Sequence, residues 1–113
     1  MAELDILNLT CVKKQDSNAK DEVSLYLDGT KVFGPQKMSP GDRIPIPLAN
    51  QSFTGLIGVE LLEEDPPSGG NLQLGAFTVP DSLATLPGSV DHFGVFDNQL
   101  PDAFYYVEYH VLP

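Results

Sequence analysis

Glu22-Val23-Ser24-Leu25-Tyr26-Leu27-Asp28-Gly29 is the stretch on which the fold reading turns. Val23, Leu25 and Leu27 share one parity, and Glu22, Ser24, Tyr26 and Asp28 share the other. Successive side chains of a strand point to opposite faces, so this segment has one apolar face and one polar face, the signature of a half-buried antiparallel strand. Asp28-Gly29 then supplies a strong hairpin signal, because a type I′ turn needs positive φ at both central residues. Residues 22–28 are therefore assigned to a strand that returns through the turn as a second strand over 30–33.

The same reading extends in both directions. Upstream, residues 3–14 are apolar at period two, with Leu4 and Ile6 in one phase and Leu7, Leu9 and Cys11 in the other, so a bulge is expected near Ile6 and Leu7. Downstream, residues 43–48 point Ile44, Ile46 and Leu48 inward, while Pro45 and Pro47 share the alternate parity. Two prolines on one side remove two ladder donors, which marks an edge strand. Residues 55–62 are apolar on both parities, which suggests a central strand buried on both faces. Further strands are expected over 72–79, 92–96 and 103–112, with a helical turn at 81–84.

Eight short strands separated by turn signals predict an all-β fold, an eight-stranded antiparallel two-sheet sandwich. The 113 residues make a single domain, 1–113, large enough to bury a core without metal or disulfide support. Ten Gly and ten Pro oppose a helical bundle of this length. Cys11 is the one cysteine, which excludes an internal disulfide and a Cys-rich zinc site; a small buried residue on the first strand is its ordinary role.

Six basic and 16 acidic residues give a net charge of −10, which repels phosphate backbones and anionic lipid surfaces and argues against nucleic acid as a partner. The N-terminal segment has no basic region, long apolar stretch or cleavage signal, so a cytoplasmic protein is the expectation. Enzymatic motifs are missing: there is no Gly-x-Ser-x-Gly elbow, no His-Glu-x-x-His and no phosphate-cradling Gly-rich loop. His92 and His110, the two histidines, lie among aromatics on strands, and a non-enzymatic module is the expectation.

If each strand reverses the direction of the one before, the connections after the first, third, fifth and seventh strands emerge at one pole. Those connections and their flanks carry Asp16, Asp21, Glu22, Asp42, Glu63, Glu64, Asp65, Asp97 and Asp102, but also five of the six bases. Gross charge therefore does not single out this pole; the local clusters in the first and third connections do. An EF-hand reading of 16–27 fails, because Lys20 holds the fifth position, Asp21 stands where Gly is required, and Leu27 replaces the bidentate Glu.

Asp16 followed five residues later by Asp21-Glu22 and Val-Ser-Leu-Tyr-Leu resembles the first calcium loop of C2 domains. Val59-Glu60-Leu61-Leu62-Glu63-Glu64-Asp65, with Leu74-Gly75-Ala76-Phe77-Thr78-Val79 beyond it, resembles the third. The chain departs from the family in having Asp21-Glu22-Val23 in place of Asp-Pro-Tyr, and Glu63-Glu64-Asp65 followed by two prolines in place of Asp-x-Asp. The resemblance implies a Ca²⁺-binding module with Asp16, Asp21 and Asp65 as ligands and Glu63 next, because Glu63 shares the parity of Asp65. Glu22 and Glu64 are expected to point away. Membrane docking is not carried over, since neither 15–21 nor 65–71 offers a large apolar tip. The competing expectation is a calcium-independent protein-interaction or assembly subunit that recruits a protein partner through the edge strand 43–48 or the Tyr-rich last strand.

Overall fold

The computed structural model describes residues 2–13, 21–64, 71–84, 90–98 and 103–113. Eight strands run in order: β1 (Ala2–Lys13), β2 (Asp21–Leu27), β3 (Thr30–Met38), β4 (Arg43–Phe53), β5 (Leu56–Glu64), β6 (Asn71–Pro80), β7 (His92–Asn98) and β8 (Ala103–Leu112). A short 3₁₀ turn, Asp81–Leu83, follows β6 where a helical turn was expected. The strands form two four-stranded antiparallel sheets, ordered β4-β1-β8-β7 and β3-β2-β5-β6. The fold is the expected sandwich.

Period-two alternation builds the core. β8 is buried at every second residue from Ala103 to Val111, and β2 contributes Val23, Leu25 and Leu27 from the facing sheet. The phase slip in β1 is real: Ile6 and Leu9 are both buried, and the register against both β4 and β8 shifts between Ile6 and Asn8. An extra residue there lets Leu4 and Cys11 face the same core despite opposite parity. The Asp28-Gly29 turn has φ of 47° and 83°, the two positive values that its type demands.

Three strand expectations need correction. β3 continues past Phe33 to Met38, because Gly34 takes φ of 103° and lets the chain bulge beside β2 rather than stop. β4 is the edge strand foreseen from its prolines, yet it runs on to Phe53 and pairs with β1 along that length. β5 is central, but its second face is only half-buried: Gly58, Glu60, Leu62 and Glu64 look outward. Its outward apolar residues, exposed Leu56 and half-buried Leu62, have no second layer over them.

The two sheets converge where β6 meets β7. A side chain on Gly75 would lie 2.6 Å from the Phe96 Cα, so only a glycine permits that approach. Phe77 closes the same seam, with its ring 5.2 Å from that of Phe96 and 5.8 Å from that of Tyr109. Among the described residues, no helix is long and apolar enough to cross a membrane.

Candidate functional site

Antiparallel pairing brings the ends of β1, β3, β5 and β7 and the starts of β2, β4, β6 and β8 to one pole. Lys13 lies opposite Phe104, Asp21 opposite Met38, Glu64 opposite Asn71, and Asn98 opposite Ala103. β2 and β5 are hydrogen-bonded neighbours, with Val23 opposite Glu63. The strand ends that anchor the first and third acidic connections are therefore side by side, as chain reversal predicted. Asp16 and Asp65 themselves lie outside the described residues.

Asp21 and Glu63 are both described, and both point into the sandwich. Asp21 continues the inward parity of Val23 and Leu25, and Glu63 that of Val59 and Leu61; their exposures are 0% and 2%. The two positions are diagonal across adjacent strands, a spacing of roughly 7 Å. Burying two carboxylates so close together is costly unless donors, a proton or a cation compensate.

One compensating donor crosses the core. The Tyr105 hydroxyl, carried by β8 in the opposite sheet, donates to Asp21 Oδ2. Tyr105 is itself fully buried and lies opposite Cys11 in the β1–β8 register. Burial raises its phenol well above the ordinary tyrosine range, and the hydrogen bonds to Asp21 and to the Cys11 side chain raise it further. The sequence contained half of this bond: a tyrosine on the buried parity of β8 needs a partner for its hydroxyl. Its pairing with a residue 84 positions away could be known only from the tertiary structure.

Three other described acids of this pole, Asp42, Glu22 and Glu64, do other work. Asp42 accepts from the Ser39 amide at 2.8 Å and so closes the β3–β4 turn, whose Asp42 carbonyl and Gly41 amide bond to the Cys11 backbone. Glu22 and Glu64 face outward, as parity requires. Glu64 accepts from Ser24 Oγ at 2.8 Å and Tyr26 Oη at 3.1 Å, and pairs with Lys31 Nζ at 2.8 Å. The lysine and then Ser24 hold the Glu64 carboxyl below its ordinary range. Burial, and then Glu64, raise the Tyr26 phenol. Glu22 faces Lys37 at 4.0 Å.

Hard carboxylate oxygens are the donor type calcium takes, in groups of six to eight oxygens. Asp21 and Glu63 fit that chemistry as two inward-facing donors, and the described residues include no cluster of three or more acidic, histidine or cysteine side chains arranged around a common point. A complete shell would need oxygens from 14–20 and 65–70. Comparison with protein-family models and with curated proteins gives no match for this chain.

Proposed function

We propose that the protein is a non-enzymatic, C2-like binding module that takes Ca²⁺ at the pole where the first and third acidic connections are anchored. The observation that carries this reading is the burial of Asp21 and Glu63, diagonal to each other on adjacent strands directly beneath those connections. Asp16 and Asp65 are the proposed further ligands. A divalent ion would offset the repulsion between the carboxylates and draw the two connections together. The Tyr105 hydroxyl orients Asp21 from across the core.

Ca²⁺ should stabilise the folded state by mass action, by about 2.7 kcal/mol at a hundredfold excess over the dissociation constant. Thermal melts in millimolar calcium and in chelator, with D21N and E63Q beside the unaltered protein, measure this directly. Superimposable melts of the unaltered protein would refute calcium binding.

A second reading, a calcium-independent protein-interaction or assembly subunit, is favoured by the outer face of the β7 edge. Phe93 is 60% exposed and Val95 45%, and Phe93 packs edge-on to Tyr106 of the Tyr-rich last strand at 6.1 Å. Light scattering after size exclusion, with and without calcium, separates the two. A calcium-insensitive oligomer favours the second.

A further inference from the structure

A groove of about 380 Å³ lies on the outer face of the β3-β2-β5-β6 sheet, far from the acidic pole and next to the Asp28-Gly29 turn. Its place follows from the register. Gly58 lies opposite Thr78, Glu60 opposite Ala76, and the Asp28 amide bonds to the Gly58 carbonyl at 2.9 Å. Three small outward residues in adjacent rows, Gly58, Ala76 and Thr78, leave the sheet surface without large side chains and form the groove's floor. A volume of this size is at the small end of the range for pockets that bind a compact group.

The charge of the groove differs from that of the rest of the face. Elsewhere on this sheet the outward acids have cationic partners: Glu64 has Lys31, and Glu22 has Lys37. Asp28 and Glu60, at the groove's rim, have only neutral donors among the described residues. Asp28 Oδ1 accepts from the Gly58 amide at 2.7 Å, and Glu60 Oε2 accepts from Gln73 Nε2 at 2.6 Å. Both carboxylates therefore stand beside the groove's floor without a cationic partner among the described residues, in a chain whose net charge of −10 attracts cationic partners at long range.

An apolar trough with anionic ends matches one kind of side chain closely. Lysine and arginine lay an aliphatic stem along apolar surface and keep the charged tip at its polar margin. We propose that this groove is a docking site for a basic peptide segment of a partner protein, with a lysine or arginine stem over Gly58 and Ala76 and its cation between Asp28 and Glu60. The site is independent of the calcium reading, because none of its residues belongs to the acidic pole.

The two charge variants that test it keep the fold's own bonds. D28N retains an oxygen to accept from the Gly58 amide and suits the positive φ of the turn, and E60Q retains one for Gln73. G58V fills the floor without changing charge; a β-carbon there meets only Asp28 Oδ1, at 3.3 Å, the end of a side chain that can give way.

The assay is an amide NMR titration in chelator, so that failure of calcium binding leaves it untouched. The probe is an eight-residue peptide of alternating lysine and leucine, with its glutamine-for-lysine counterpart as control. Saturable shifts are expected around Gly58, Glu60, Ala76 and Thr78 with the lysine peptide alone. Binding should weaken at least about tenfold in D28N/E60Q and in G58V, with melts of both variants confirming that they fold. Shifts spread over every acidic surface and indifferent to G58V would reduce the interaction to general charge attraction and overturn the proposal. Self-association lost in G58V would place a second copy in the groove and overturn it as well.

Discussion

Replacing Tyr105 with Phe removes one oxygen from the centre of the sandwich and leaves the ring packing intact. Tyr105 and Asp21 are both 0% exposed, so water cannot take the place of the lost donor on Asp21 Oδ2 without opening the acidic pole. A hydrogen bond to a buried charged group is worth about 1.5–3 kcal/mol. The upper part of that range applies here because the bond joins the two sheets, and Y105F should lose about 2–3 kcal/mol. For a domain of this size each kcal/mol moves the melting temperature by roughly 4 °C, so the midpoint should fall by about 8–12 °C. Urea and thermal unfolding of the unaltered protein, Y105F, D21N and the double variant measure both the loss and the coupling between the partners. D21N can still accept from the hydroxyl and thus separates the loss of charge from the loss of the bond. A Y105F variant within about 0.5 kcal/mol of the unaltered protein, with no coupling to D21N, would refute the reasoning.

Two further outcomes follow from the same structure. Gly75→Ala should cost about 3 kcal/mol or prevent folding, because the new methyl would sit 2.6 Å from the Phe96 Cα and 2.8 Å from its Cβ at the seam between the sheets; a melt unchanged from that of the unaltered protein would show that β6 and β7 do not meet there. The tyrosines set the alkaline limit: the folded phenols of Tyr105, Tyr109 and Tyr26 lie above the ordinary value of 10.0, so the stability they contribute is complete below pH 10.0 and is lost as pH rises through their folded values. In an ultraviolet titration Tyr105 should ionise only with unfolding, and reversible ionisation of all four tyrosines near pH 10 in the folded protein would contradict its burial.

Much of the architecture was legible because it rests on local rules. Alternation in β2 and β8, the double proline of β4, the phase slip in β1 and the Asp28-Gly29 turn each express a preference of a few consecutive residues, and the structure keeps all of them. The reading faltered where a local rule met a neighbour's demand. The strand after the turn was expected to end at residue 33, but β2 runs alongside and pairs with β3 as far as Met38 through a bulge. Apolar residues on both parities suggested burial on both faces of β5, but outward Leu56 and Leu62 are tolerated on a central strand where no second layer packs.

Parity was enough to turn Glu22 and Glu64 away, since side-chain direction in a strand is a property of position; Asp21 and Glu63, expected in the connections, instead belong to β2 and β5 and are buried. What position could not supply was the company each carboxylate keeps. Tyr105 reaches Asp21, Lys31 reaches Glu64, and Asp28 and Glu60 flank one apolar groove only because strands from distant parts of the chain lie beside or across from one another. Alternation and turn chemistry act over two to four residues and so are written in the sequence; compensation of charge acts through space, and its partners exist only once the sheets have paired and packed.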